Sequence, residues 1–166
     1  MLQMKLCGDL VLREHCVPVD DITPEILKNM DEMVKMMRNQ NGVGLAAPQV
    51  GVTKRFLVMM NPETEEVFKM INPKIIERST ETVVMEEGCL SVLGPDDLPV
   101  YANVSRPAVV TIEWMGVDGK NYAAEMSGIM ARIAQHETDH LDGVLFIDYL
   151  PAAKREMVMR KVRRRK

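Results

Sequence analysis

The chain has 166 residues, a formal net charge of −3, and hydrophobic and charged fractions of 46% and 27%. This length predicts a single domain, and the composition is ordinary for a soluble globular protein. No apolar run approaches the roughly 20 residues needed to cross a bilayer, which argues against a membrane span. The first ten residues lack both an apolar signal core and an Arg- and Ser-rich composition, so we expect a cytoplasmic protein.

A first helix is predicted over residues 24–39. Thr23 offers a hydroxyl N-cap, and Pro24 suits the first helical position. Apolar residues then recur at three- and four-residue spacing, which marks one buried face. They are Ile26, Leu27, Met30, Met33, Val34 and Met37. The polar run that ends at Gly42 stops the helix.

Short β-type runs separated by turn residues fill the middle of the chain. Two of them flank Asn61-Pro62, as in a hairpin, and two others flank Asp118-Gly119, a strong hairpin signal. One more run leads into Gly88. The five runs are residues 55–60, 67–71, 81–85, 109–114 and 121–124.

Two further helices are predicted near the C-terminus. Ser127 can cap the first, and Gly143 stands where a helix end favours a left-handed residue. Pro151 opens the second, whose apolar face contains Met157, Val158 and Val162. Strands in the middle with helices at the ends predict an α+β fold, in which antiparallel strands pack around a central helix.

The central helix carries the motif H-E-x-x-H as His136, Glu137 and His140. Residues four apart lie on one helix face about 6 Å apart, so both imidazoles can bind one metal ion. Glu137 is rotated by about 100° and can orient and deprotonate a water molecule beside the metal. Two buried histidines without a metal are the alternative, but burying three ionisable groups together is costly.

A catalytic metal site needs a third protein ligand. Downstream of the motif there is no histidine, and Phe146 stands where the HExxHxxGxxH proteases have one. Cys89 is the best upstream candidate, because it follows a β-type run and Gly88 lets the backbone turn sharply. Residues Cys7, Cys16 and His15 lie among N-terminal hydrophobic residues, and we expect both of those cysteines to be core residues.

A third unusual segment is GVGLAAPQ, residues 42–49. Its glycines and alanines remove side chains from the backbone, as a strand needs if a peptide is to lie against it. A packed loop without function is the alternative for this segment alone. Together with EGCLS (87–91) and QHETDH (135–140), in this order and spacing, it resembles the three signature motifs of the peptide deformylases. The resemblance extends from about residue 6 to residue 160.

The resemblance implies a role for each motif residue. Cys89, His136 and His140 would bind a divalent metal, natively Fe²⁺ and often replaced by Zn²⁺, Ni²⁺ or Co²⁺. Glu137 would carry the proton, while the Gln49 amide and the Leu90 N–H would stabilise the oxyanion. The implied substrate-binding residues are Val43, Gly44, Leu45, Glu87, Ile129 and Ile133. Ile129 and Ile133 lie on the Glu137 side of the helix, as walls of a methionine pocket.

The chain departs from this family after EGCLS. Leu93 replaces a common proline, no arginine occurs before Arg106, and the loop over residues 92–105 is longer. The metal chemistry should be unaffected, because its residues are all present, whereas the altered loop could change which peptides are preferred. We also predict that Arg106 pairs with Asp139 and ties this loop to the helix, although two separate surface charges would explain them equally well.

The C-terminal segment is strongly basic. Residues 154–166 contain eight lysines and arginines and one acid, on a chain whose net charge is −3. We expect residues 1–150 to be the catalytic part and residues 151–166 a basic helix and tail of the same domain. Such a tail suits phosphates, and the resemblance implies docking on the RNA surface of the ribosome.

The sequence therefore predicts a hydrolase of the bacterial cytoplasm that removes the formyl group from the N-terminal methionine of nascent polypeptides. A metallopeptidase that shares H-E-x-x-H is one alternative, and release of amino acids in place of formate would distinguish it. A non-catalytic module that docks on the ribosome is the other. Activity of the metal-loaded protein on formyl-Met peptides would exclude that module.

Overall fold

The computed structural model describes residues 2–165 and shows an α+β fold. The three helices are α1 (Pro24–Asn39), α2 (Gly128–Leu141) and α3 (Ala152–Arg163). The seven strands are β1 (Gly44–Ala46), β2 (Phe56–Met60), β3 (Val67–Arg78), β4 (Thr82–Glu87), β5 (Ala102–Pro107), β6 (Val109–Met115) and β7 (Asn121–Ser127). Among these residues, no helix is both long and apolar enough to cross a membrane.

Helix α1 confirms the predicted bounds. The Thr23 hydroxyl accepts a hydrogen bond from the Ile26 N–H at 3.3 Å, and Pro24 occupies the first turn. Such a cap satisfies one of the N–H groups that a helix start leaves unpaired. Met30, Met33 and Met37 are fully buried, so the predicted face packs against the sheet.

Five strands form an antiparallel sheet in the order β1-β2-β3-β6-β7. Both predicted hairpins are present, and Gly119 has the left-handed φ of 78° that its turn requires. Strand β3 is longer than predicted. It continues past Asn72-Pro73 because a register shift there lets its first half pair with β2 and its second half with β6.

Strands β4 and β5 form a separate two-stranded sheet. Strand β4 was predicted, but it ends two residues later than expected. Strand β5 was not predicted, because it begins in the segment expected to be a loop. The pairing of Glu87 with Ala102 ends this hairpin immediately before Gly88. This hairpin therefore places Cys89 directly beyond the end of β4.

Helix α2 lies against the large sheet, as predicted. Ala131, Ile133, Ala134 and Leu141 pack with the buried residues of β2, β3 and β6. The helix ends in a Schellman arrangement, in which Gly143 N–H donates to the His140 carbonyl and Val144 N–H to the Asp139 carbonyl. This end fixes the last turn, on which His140 lies.

Helix α3 begins at Ala152 and packs on a second core cluster through Val158, with Met159 and Val162 partly buried. The predicted burial of Met157 is wrong, since that residue is 62% exposed. Val158 and Val162 are four residues apart on one face, and Met159 lies on the same side of it, whereas Met157 projects away.

Candidate metal centre

Three side chains converge at the centre of the molecule. The ligand atoms of Cys89, His136 and His140 all lie within 4.8 Å of one another, and all three residues are buried. The Cys89 Sγ and the His136 Nε2 are each 3.3 Å from the His140 Nε2. Tetrahedral ligands at about 2.0–2.3 Å from an ion lie roughly 3.3–3.5 Å apart, so the cluster fits one divalent metal.

Local structure explains how Cys89 reaches the helix. A Cβ atom built on Gly88 would lie 2.7 Å from the Tyr101 Cδ1 atom, so any larger residue here would have to displace the tyrosine ring. The Ser91 N–H lies 3.4 Å from the Cys89 sulfur. A short turn from β4 therefore presents the sulfur to α2 and holds it there.

Glu137 lies beside the three ligands and is buried. Its side chain packs against Gly44 of β1, where a Cβ atom would lie 2.7 Å from the Glu137 Cδ. Its Oε2 has no hydrogen-bond partner among residues 2–165. Burial raises the pKa of Glu137 to about 7, which suits a group that accepts and returns a proton near neutrality.

Gln49 lies on the other side of the sulfur. Its Oε1 accepts a hydrogen bond from the Ala46 N–H at 2.8 Å, which fixes the orientation of the amide. Its Nε2 is then 3.4 Å from the Cys89 Sγ and 3.1 Å from the Ser91 hydroxyl. The structure thus brings the predicted Gln49, Cys89 and Leu90 to one wall of the cleft.

Glu87 has contacts that differ from the expected substrate contact. Both of its oxygens are engaged, by the Arg106 guanidinium at 2.6 and 3.1 Å, by Arg132 at 2.9 Å and by the His136 Nδ1 at 3.1 Å. Burial alone would raise the pKa of Glu87, but the hydrogen bonds from His136 and Arg106 hold it well below its usual range. This carboxylate therefore orients the His136 ring, with its Nε2 toward the cluster.

The predicted pairing of Arg106 with Asp139 is confirmed. The Arg106 Nη1 is 2.7 Å from the Asp139 carboxylate, and the arginine side chain is only 3% exposed. The Tyr149 ring lies 4.5 Å from the guanidinium carbon, and its hydroxyl donates to the same aspartate at 2.9 Å. The sequence did not indicate Tyr149. Arg132 was also missed, although a charge four residues before His136 on a largely apolar helix is a usable signal.

These residues form the floor of an open cleft of about 850 Å³. Val43, Gly44, Ile129 and Ile133 line it, as expected from the sequence. Leu45 does not, because its side chain is fully buried in the cluster under α1. Neighbouring residues of a strand face opposite sides, and Gly44 already faces α2, so Leu45 can offer the cleft only its main chain.

A Cys/His/His cluster with a glutamate beside it, on a helix backed by antiparallel strands, defines a metallohydrolase of the HExxH type. Residues 1–156 match the polypeptide deformylase family. The peptide deformylase of Rhizobium meliloti is 46% identical over 156 residues, which are 92% of this chain and 87% of that protein. The chain belongs to the polypeptide deformylase family, whose members are hydrolytic enzymes that remove formyl groups.

Solved structures agree with this assignment. The peptide deformylase of Ehrlichia chaffeensis is similar with a TM-score of 0.91 and 34% identity, over 98% of this chain and 95% of that one. The enzyme from Synechococcus elongatus, solved in complex with actinonin, gives a TM-score of 0.87 and 33% identity, over 98% and 87% of the two chains. The family match stops inside α3, so most of the basic tail lies beyond it.

Proposed function

We propose that Cys89, His136 and His140 hold the catalytic metal and that Glu137 transfers the proton when the formyl group leaves an N-terminal methionine. The convergence of the three buried ligand atoms beside Glu137 carries this proposal. Three protein ligands leave one position open, which is typical of catalytic sites and not of structural ones. A bound divalent metal would lower the pKa of water and polarise the formyl oxygen.

The residues around the metal would carry out proton transfer, oxyanion stabilisation and ligand orientation. Glu137 takes a proton from the attacking water and returns it to the methionine nitrogen as the C–N bond breaks, so that formate and a free amine leave. The Gln49 amide and the Leu90 N–H lie on the sulfur wall, where they can donate to the formyl oxygen as negative charge develops. Glu87 holds the His136 ring and keeps its Nε2 directed at the cluster.

The shape of the cleft supports a formyl-methionine peptide as the substrate. Strand β1 is the edge of the large sheet, and its small residues let an extended peptide add to it at Val43 and Gly44. Ile129 and Ile133 are apolar walls that suit an unbranched methionine side chain. Gly44 also touches Glu137, so a peptide paired there lies next to the proton-transferring carboxylate.

Hydrolysis of a formyl-Met tripeptide with release of formate tests this function. Wild type loaded with metal should release formate and no free amino acid, whereas a peptidase would release amino acids. Glu137→Gln should retain the metal and the fold but lose about 10²–10⁴-fold in turnover, because the amide cannot accept the proton. Near-normal turnover by metal-loaded Glu137→Gln would contradict the role of Glu137.

We propose Fe²⁺ as the native metal, with Zn²⁺, Ni²⁺ and Co²⁺ as replacements, because a thiolate with two imidazoles suits these ions better than Mg²⁺ or Ca²⁺. Metal analysis of protein purified without oxygen tests the choice. Air should inactivate the Fe²⁺ form by oxidising metal and sulfur, and more slowly the Ni²⁺ form. Equal rates of loss in air would contradict iron oxidation as the cause.

We also propose that residues 154–166 dock on ribosomal RNA, which places the enzyme in the cytoplasm beside its nascent substrates. Glu156 pairs with Arg160 and Arg163 on the helix itself. Lys154, Lys161 and Arg164 are exposed and have no acidic partner among residues 2–165. Their charges are therefore available to phosphates.

Neutralising Lys154, Lys161 and Arg164 together should weaken ribosome binding most at low salt. Pelleting of ribosomes with wild type and with this triple variant measures the effect. Hydrolysis of a free formyl-Met peptide should be unchanged, since none of the three lines the cleft. Equal pelleting at every salt concentration would show that the tail is not the docking element.

A further inference from the structure

The segment from Gly94 to Pro99 forms part of the rim of the cleft. Asp97, Leu98 and Pro99 line it, and Leu98 is exposed although it is apolar. Asp96 and Asp97 adopt left-handed φ values of 60° and 58°, which give the loop a tight turn. This turn directs a carboxylate and an apolar side chain toward the space in which a peptide would lie.

Arg165 reaches the same rim from the C-terminal segment. Its Nε–H donates to the Asp97 carboxylate at 2.5 Å, across 68 residues of chain. The Arg165 side chain is 35% exposed, whereas those of Arg160 and Arg163 are 69% and 56% exposed. Arg165 also lines the cleft, which the other tail arginines do not. Arg165 is therefore less exposed than Arg160 and Arg163, and it lies at the cleft.

The other arginine that lines the cleft, Arg132, has its donors engaged by protein groups. Arg132 donates to Glu87 and to the carbonyl groups of Val83 and Val104. A guanidinium carries five N–H donors, and Asp97 uses only the one on Nε. Among residues 2–165, no acceptor lies within hydrogen-bond distance of the two terminal nitrogens of Arg165. They are the cationic donors that the cleft can offer a ligand.

We propose that Arg165 binds the peptide main chain downstream of the formyl-methionine and that Asp97 is its positioning residue. This inference rests on the proposed function. A peptide added to β1 uses the hydrogen-bonding groups of one edge, so the carbonyl groups of its other edge remain to be paired. A guanidinium that is held through its Nε can donate from its two terminal nitrogens to such carbonyl oxygens. This contact does not depend on which side chains the substrate carries.

The solvent exposure of the Arg165–Asp97 pair limits how much its loss can change KM. An exposed ion pair contributes little free energy to folding, so Asp97 orients Arg165 and does not anchor the tail. Hydrogen bonds from a charged group are worth roughly tenfold or more in affinity when water is excluded. At a partly exposed rim, Arg165→Ala should raise KM for a formyl-Met tripeptide about five- to tenfold, with kcat changed less than twofold.

The test compares two substrates and one matched control. Formyl-methionine alone ends before the proposed contact, so its kcat/KM should be the same for Arg165→Ala and wild type. Arg164→Ala removes the same charge from the neighbouring residue, which does not line the cleft, and should leave KM unchanged for both substrates. Asp97→Asn should raise KM for the tripeptide about threefold, and should add little to Arg165→Ala.

An unchanged KM for the tripeptide in Arg165→Ala would overturn the inference. An equal rise in Arg164→Ala would do the same, because the effect would then be general electrostatic attraction. A parallel loss on formyl-methionine alone would show a structural role and not a main-chain contact. If wild type hydrolysed neither substrate, the proposed function itself would fail, and this inference with it.

Discussion

Gly44→Ala should move Glu137 away from the metal cluster without unfolding the protein. The new methyl carbon would lie 2.7 Å from the Cγ and Cδ atoms of Glu137. Carbon atoms in contact are about 3.5–4.0 Å apart, so the two groups must separate by about 1 Å. The strand is paired through Gly44 and Met59, and the glutamate backbone lies inside α2, so the side chain has to move.

The magnitude follows from this displacement. A shift of about 1 Å in a catalytic group costs roughly 100-fold in rate, and we expect that loss in kcat. Overpacking a core costs about 1–3 kcal/mol of unfolding free energy, which a domain of ordinary stability survives. KM should change little, because alanine keeps the N–H and C=O groups that would pair with a peptide.

Steady-state hydrolysis of a formyl-Met peptide, metal content and thermal unfolding together test this reasoning. The double variant Gly44→Ala/Glu137→Gln should be scarcely slower than Glu137→Gln alone, because both changes act on one group. A folded, metal-loaded Gly44→Ala enzyme with kcat within threefold of wild type would refute it. So would a rise in KM alone, which would place the main effect on peptide binding.

Three further outcomes are expected. Arg106→Met should lower the unfolding free energy by about 3 kcal/mol, because it removes one of the cations that pair with the buried Glu87 carboxylate. In denaturant unfolding, the double variant Arg106→Met/Glu87→Gln should recover part of that loss. Burial alone would raise the pKa of Asp148, but hydrogen bonds from Arg13 and from a backbone N–H lower it. Its stabilisation is therefore present above about pH 4 and lost as pH falls, and Asp148→Asn should cost about 1 kcal/mol at pH 7 and progressively less as the pH falls below 4. Burial raises the pKa of Cys16 to about 11, so a thiol reagent at pH 8 should leave Cys16 unlabelled in the native protein and label it after unfolding.

The sequence predicted those features that local patterns determine. The bounds of α1 followed from a cap and a spacing of apolar residues, and the α2 motif followed from the i, i+4 geometry of His136 and His140. The hairpin turn at Asp118-Gly119 followed from the conformational needs of its residues. Each of these depends on residues close together in the chain, so no knowledge of tertiary packing was required.

Other features depend on contacts that the local sequence does not encode. The sequence of β5 is rich in polar residues and predicts a loop, and its pairing with β4 makes it a strand. Leu45 faces the core because the contact of Gly44 with Glu137 decides which side of β1 faces α2. The approach of Arg165 to Asp97 joins two segments that are distant in the chain, and no spacing rule could have indicated it.

The position of Glu87 explains how the cysteine and the two histidines of the candidate metal centre are held in place relative to one another. Cys89 lies directly after β4, in the connection between β4 and β5, whereas both histidines lie on α2, which packs against the large sheet. The Glu87 carboxylate on β4 contacts Arg106 on β5 and both Arg132 and His136 on α2. One buried carboxylate therefore ties the element that carries the sulfur to the helix that carries the imidazoles.

Such a network should influence metal binding as well as folding. Buried ion pairs gain little net stability because desolvation offsets their attraction, but they fix the positions of the groups that they join. Changing a residue that orients a metal ligand typically costs about 10–100-fold in metal affinity. We therefore expect Glu87→Gln to lower affinity by that factor in a chelator competition, and Glu86→Gln, an exposed neighbour, to have no effect. A Glu87→Gln protein that unfolds more easily yet binds metal as tightly as wild type would show that the carboxylate supports the fold and not the metal.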